Sequence, residues 1–203
     1  LINKIWVDCY NSGIDNFNRY FSAKNNKFLD SAINYFEIGK MVRPEMLDFY
    51  GLIGQAYELR GDTLSAISEY NDYVNKGQDE LNWITSKSIY LSKPRRDILT
   101  ELGKPTVTNG ITGSSGDSLL TDIYELEGKD IYFFYKDNKK DLNFAIAGWR
   151  VNPPKHWLPN EQSQWNSYNI GPFAALAQIN YFRKKYDEAL KFVKLLGILE
   201  PGN

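Results

Sequence analysis

The sequence predicts a mainly α fold in which antiparallel helical hairpins are interrupted by a small antiparallel β-meander. Three observations carry that reading. Apolar and small residues recur at helical spacing through Leu47–Glu80 and again from Ile170 onward. Between these stretches, a tract rich in Thr, Gly and Ser leads into three runs of β-branched and aromatic residues. The helical stretches begin 123 residues apart, at Leu47 and Ile170, so the region between them reads as an α+β insertion.

Composition sets outer limits. A chain of 203 residues that is 42% hydrophobic and 15% aromatic supplies an ample core for one large domain or two small ones. Its 24 basic and 25 acidic residues nearly balance, which gives no footprint for nucleic acid or an anionic membrane. No apolar run is long enough to span a bilayer. Cys9 is the single cysteine, which excludes an internal disulfide and any multi-cysteine metal site. The chain opens on Leu1-Ile2-Asn3-Lys4-Ile5-Trp6, neither an initiator methionine nor a signal peptide, and reads as processed, trimmed or partial.

Taken in order, Trp6 to Asn25 reads as a long helix with Trp6, Tyr10, Gly13, Phe17 and Phe21 down one face. Asn25-Asn26-Lys27 breaks it. The next helix, from about Leu29 to Met41, turns Ala32, Ile33, Phe36 and Gly39 inward, and Pro44 closes it. Leu47–Glu80 then holds two short helices. Tyr50, Ile53, Gly54 and Tyr57 mark the first, and Leu64, Ala66, Ile67, Tyr70 and Tyr73 mark the second. Arg60-Gly61-Asp62 separates them with a glycine stop and an aspartate cap. Leu81–Tyr90 and Arg95–Leu102 read as two further helices, a degenerate repeat or a cap. Pro94 stands where a missing amide hydrogen does no harm.

The texture then changes. Thr106–Ser118 reads as a mobile loop, followed by strands at Leu120–Leu126, Ile131–Tyr135 and Leu142–Val151. In the third strand Leu142, Phe144 and Ile146 alternate with Asn143, Ala145 and Ala147, the period of a half-buried strand. Three strands alone are barely stable, so the meander is expected to pack on a helix. Asn152–Asn169, with Pro153, Pro154 and Pro159, reads as an extended connector pinned by its aromatics. From Ile170 the helical signal returns. Phe173, Leu176, Ala177 and Tyr181 lie on one helix and Ala189, Phe192, Val193 and Leu196 on the next, with Pro201 ending it.

The central stretch has a more specific spacing. Ala66 follows Gly54 by twelve residues and Tyr70 follows Ala66 by four, with Tyr57 one turn beyond the glycine. On those residues the stretch resembles a tetratricopeptide (TPR) repeat. Shifted back by thirty-four residues, Ala66 lands on Ala32 and Tyr70 on Phe36. Gly54 falls on Tyr20, but seven residues earlier Gly13 takes the small-residue place. Seven residues are close to two helical turns, so the apolar face survives such an insertion. The first pair therefore reads as a lengthened repeat, with an unrelated helical hairpin as the alternative. In the last pair Ala177 and Ala189 are again twelve apart, and Lys185-Tyr186-Asp187-Glu188-Ala189-Leu190 is similar to the family pattern, whereas Asn180 stands where that family usually has tyrosine. The expected organisation is TPR-like helices over residues 1–103, the α+β insertion over 104–159 and a TPR-like hairpin over 160–203. The order of a helix, Leu102-Gly103-Lys104-Pro105-Thr106 and three strands is also similar to small domains of bacterial envelope lipoproteins of the BamE type, over about sixty residues. That likeness tilts the reading towards a bacterial periplasm or cell envelope over the cytoplasm.

Candidate sites divide by chemistry. A hydrolase needs a nucleophile, a base and an orienting group. The one histidine, His156, lies in Pro-Pro-Lys-His-Trp-Leu-Pro with no serine in a nucleophile-elbow frame. Gly110-Ile111-Thr112-Gly113-Ser114-Ser115-Gly116-Asp117 has the glycines of a phosphate loop, but an aspartate where positive charge is wanted. Asp130, Asp137 and Asp141 are spread over turns and lack metal-ligand spacing. The reading is therefore not an enzyme, with no metal and no cofactor. The TPR resemblance implies that a protein or peptide partner lies on the inner face of each repeat's first helix. It places Asp48, Gly51, Gln55 and Glu58 there in the central repeat, and Ala174, Gln178 and Tyr181 in the last. The basic carboxylate-gripping set of chaperone-binding TPR domains is absent. The alternative is glycan or small-ligand binding through the aromatics Trp149, Trp157, Trp165 and Tyr168, since stacked rings suit sugars. The residues carry no mark of oligomeric state.

Overall fold

The computed structural model describes residues 2–112, 118–138, 143–153 and 169–201. The fold is mainly α with a small antiparallel sheet. Its helices are α1 (Ile2–Ala23), α2 (Asn26–Val42), α3 (Asp48–Arg60), α4 (Thr63–Lys76), α5 (Gln78–Ser86), α6 (Arg95–Leu102), α7 (Gly171–Phe182) and α8 (Tyr186–Leu199). Its strands are β1 (Val107–Thr112), β2 (Ser118–Leu126), β3 (Lys129–Asn138) and β4 (Asn143–Val151). Two units result: Leu1–Gly77 with Ile170–Val193, and Gln78–Asn169 with Lys194–Asn203. Among the described residues no helix is long and apolar enough to cross a membrane.

The first unit is a succession of helix pairs. The Asn25 side chain caps α2 by accepting from the Lys27 amide at 3.0 Å. Gly61, at φ +85°, stops α3, a conformation in which a side chain would be strained. Asp62 then caps α4, accepting from the Ser65 amide at 3.2 Å and its hydroxyl at 2.8 Å. Small residues set the approach within and between pairs. Gly13 of α1 lies under the Phe36 ring of α2, Gly39 of α2 under Phe49 of α3, and Gly54 of α3 under Tyr70 of α4. Rings carry the core onward, with Phe17–Phe36 centroids 5.5 Å apart and Phe36–Phe49 6.0 Å apart. After α4 the succession resumes at α7, where Tyr73 meets Phe173 edge-on at 6.5 Å and Phe173 meets Phe192 of α8 at 6.3 Å. The stack thus reads α1-α2-α3-α4-α7-α8, with residues distant in sequence made neighbours. Four side chains read onto the apolar helix faces are exposed instead: Phe21, Leu64, Tyr181 and Val193.

The second unit is a meander in the order β1-β2-β3-β4, every pair antiparallel, with α5 and α6 packed on β4. The three expected strands correspond to β2, β3 and β4. The expected mobile loop over Thr106–Ser118 is corrected in its first half, because Val107–Thr112 forms a fourth strand. β1 pairs with β2 from Val107↔Ile123 to Thr112↔Ser118, and the β-branched Val107 and Thr108 at its start suit a pleated surface. Glu127 and Gly128 both take positive φ, 54° and 73°, the pair a tight hairpin turn between β2 and β3 requires. A bulge at Phe134/Tyr135 leaves Ala147 of β4 unpaired and shifts its alternation, so that both Ile146 and Trp149 are buried. The outer edge of β4 is covered, since Ser92 donates to the Ile146 carbonyl at 2.8 Å and Ile146 donates to the Lys93 carbonyl at 2.9 Å.

Two charged contacts lie inside this unit. Asp122, fully buried on β2, accepts from Arg95 Nε and Nη2 at 2.7 and 3.0 Å and from the Thr108 hydroxyl at 2.7 Å. Glu80, buried on α5, accepts from Arg150 Nε at 3.2 Å and the Val151 amide at 3.0 Å. Asp122 replaces its lost water with several donors, the condition under which a buried charge is tolerated, whereas the donors to Glu80 do not outweigh its burial.

Candidate partner-binding face

Helices α3 and α7 belong to the first unit and lie beside each other. A Cβ on Gly51 would stand 3.6 Å from Cγ of Pro172, ordinary contact, so the glycine and the proline ring meet directly. On α3, Gln55 and Glu58 are exposed, and Gly51 and Asp48 are half-buried one and two turns earlier. On α7, Ala174, Gln178 and Tyr181 are exposed along one stripe. Helical geometry explains both stripes, because positions three and four apart share a face while the intervening residues turn to the core. Tyr50, Ile53 and Gly54 are those core residues on α3, and Phe173, Leu176 and Ala177 on α7.

The sequence-derived candidates therefore lie on two adjacent helices, but they are not equivalent in chemistry. Glu58 is engaged, accepting the Tyr70 hydroxyl at 2.8 Å. Burial and the Glu58 carboxylate together push that phenol well above its ordinary pKa, so it stays a donor. Asp48 stands in the first turn of α3, where a negative charge suits the helix dipole, and its charge helps burial to raise the Tyr10 phenol. Gln55 and Gln178 are the uncommitted groups, their amides making no hydrogen bond among the described residues. Each offers both a donor and an acceptor, the pair that an extended peptide backbone presents in return. Tyr181 packs edge-on against Phe182 and Tyr186, with centroids 5.8 Å away in both cases.

The alternative set fares differently. Trp149 is wholly buried in the sheet and offers no ring face to a ligand. Trp157, Trp165 and Tyr168 lie outside the described residues, as does His156. Among the described residues no group of three or more His, Cys, Asp or Glu side chains is placed to hold a metal ion.

Sequence reasoning passed over one group of residues. Phe182, Tyr186, Leu190 and Val193 form with Tyr181 an exposed apolar patch at the end of the helix succession. Periodicity marks Val193 as apolar but cannot show what, if anything, covers it. In comparisons with known proteins, no family model matches this chain, and neither does any curated protein or solved structure.

Proposed function

We propose that the chain is a non-catalytic, TPR-like scaffold that holds a protein or peptide partner on the exposed stripes of α3 and α7. One observation carries the reading: Gln55 and Gln178, 123 residues apart in sequence, occupy matching places on neighbouring helices and both present exposed amides. Stacked helical pairs make a rigid surface without reactive groups, and polar amides on such a surface recognise backbone while excluding little. The contact of Gly54 with Tyr70 supports the TPR-like register, because it joins residues on which that resemblance rests, and Gly13 meets Phe36 across a spacing seven residues longer, as a lengthened first repeat would have it. The glycan alternative is less well supported, since Trp149 has no open face.

The test is a peptide array against a glycan array on the full chain, followed by affinity measurement for the best binder. Replacing Gln55 and Gln178 together by alanine should weaken a captured peptide by at least about tenfold, or 1.4 kcal/mol. Circular dichroism should be unchanged, because exposed side chains contribute little to stability. A ligand retained by that variant but lost with Trp157→Ala and Trp165→Ala would move the function to the insertion.

A further inference from the structure

The outward face of α8 repeats positions that α2 buries. Shifted by 157 residues, Tyr186, Leu190 and Val193 fall on Leu29, Ile33 and Phe36. In α2 these three are 0%, 8% and 0% exposed, and Phe36 is held between Gly13 of α1 and Phe49 of α3. In α8 they are 57%, 50% and 53% exposed. The difference lies in the neighbours each helix has in the first unit. α2 has α1 before it and α3 after it, whereas α8 has α7 before it and no described helix after it. Tyr181 and Phe182, 60% and 72% exposed, continue the apolar stripe around the end of α7. A contiguous exposed patch of this kind, built from three aromatic and two aliphatic side chains, marks an interaction site.

The rim of the patch states the charge of its occupant. Arg183, Lys184 and Lys185 fill the turn between α7 and α8 and all three are exposed, whereas Lys191 points away from the stripe, its Nζ over the Phe192 ring. Only Asp187 and Glu188 oppose them in Tyr181–Val193. We infer that this face docks an acidic amphipathic helix of a partner protein, in the place on α8 that α3 occupies on α2. Tyr186, Leu190 and Val193 recur at i, i+4 and i+7, a straight ridge of about 10 Å that fits the groove of a second helix. Carboxylates flanking the partner's apolar stripe at one end meet the three cations of the α7–α8 turn, which sets its orientation and speeds encounter. An anionic membrane is the poorer match, because Asp187 and Glu188 stand in the first turn of the same helix and face it with like charge.

The probe is a labelled synthetic helix of about 20 residues with leucines at i, i+4, i+7 and i+11 and glutamates on the flanks, titrated against the full chain by fluorescence anisotropy. Controls carry lysine in place of glutamate, or the same residues in scrambled order. The acidic helix should bind at least about tenfold more tightly than either control. Raising salt from about 0.05 to 0.5 M should weaken it. Leu190→Ser with Val193→Ser should weaken it about tenfold, and so should Lys184→Glu with Lys185→Glu, which leaves the core untouched. Gln55→Ala with Gln178→Ala should have no effect, so this inference and the α3–α7 reading fail separately. Equal binding of the three peptides, or none, overturns the proposal. So does self-association of the chain that the Leu190/Val193 change abolishes, which would make a second copy the occupant. Preferential capture by phosphatidylserine vesicles would overturn it in favour of a membrane.

Discussion

Gly54 lies directly beneath the ring of Tyr70, so close that a Cβ on the glycine would stand 2.5 Å from a ring carbon. The same ring is tied back to α3 by its hydroxyl, which donates to Glu58. Tyr70 thus clamps α3 to α4 at both ends of its side chain. Gly13 and Phe36 repeat the contact in the first pair, at 2.1 Å. In the last pair the matching residues are Ala177 and Val193, a larger residue where the glycine was and a smaller one where the ring was. Ala177 is buried there, and Val193 is left exposed.

Gly54→Ala and Gly13→Ala should each destabilise the chain by about 1–3 kcal/mol, because an added methyl must displace a packed ring. Gly197→Ala is the control, since a Cβ there meets nothing within 4 Å. In a helix interior that change should be neutral or stabilising by up to about 1 kcal/mol. Thermal unfolding of the three variants checks this. A loss at Gly197 as large as at Gly54 would refute the clamp.

Ala66 is fully buried one turn before Tyr70, whereas Leu64, two residues earlier, is exposed. Ala66→Leu should overpack the α3–α4 contact and cost about 1–3 kcal/mol. Leu64→Ser should stay within about 0.5 kcal/mol. Urea unfolding of both decides the register of the central pair. If the two midpoints move equally, Ala66 does not sit at the contact.

How much was legible in the sequence depends on how local each signal is. Arg60-Gly61-Asp62 announces its own geometry, a left-handed stop and a capping carboxylate, and both are present as read. Arg95–Leu102 is a helix with the expected bounds, set by Pro94 before it and Gly103 at φ +82° after it. β1 was hidden because its glycine and the Gly/Ser-rich tract beyond it outweigh four β-branched residues in any compositional reading. The strand exists because β2 offers it a partner, and pairing is not a local property. The bulge beside Ala147 is hidden for the same reason. Gln55 and Gln178 were singled out by the TPR resemblance, and both are exposed. The open stripe of α8 was not legible, because a periodic apolar face looks the same whether or not a neighbour covers it.

Asp122 shows the cost of a buried charge that loses its donors. It is 0% exposed and accepts three hydrogen bonds, two of them from Arg95. Asp122→Ala leaves the guanidinium and the Thr108 hydroxyl without this acceptor, and should destabilise the sheet by about 3 kcal/mol or more. Arg95→Ala should do the same by stranding the carboxylate. The double variant should cost less than the sum of the two, since the stranded partner is gone. Additive losses would mean that the pair contributes nothing as a pair.

Glu80 gives the chain a pH dependence whose sign can be worked out. Its burial outweighs the nearby Arg150 charge and the bonds from Val151 and Arg150, pushing the carboxyl up from 4.5 to about 7. In the unfolded chain the same group releases its proton at about 4.3. Between those values the folded chain keeps a proton that the unfolded chain has lost. Stability linked to Glu80 is therefore fully present below about pH 4.3 and is lost as pH rises through about 7. Urea unfolding should show the chain becoming less stable from about pH 5 to about pH 8, by an amount on the order of 1–3 kcal/mol. Glu80→Gln keeps an oxygen for the Val151 amide but cannot titrate. The variant's profile should be flatter over this window, because the group that takes up the proton is gone. An unchanged slope in Glu80→Gln would assign the dependence to another group and leave the Glu80–Arg150 pair ionised throughout.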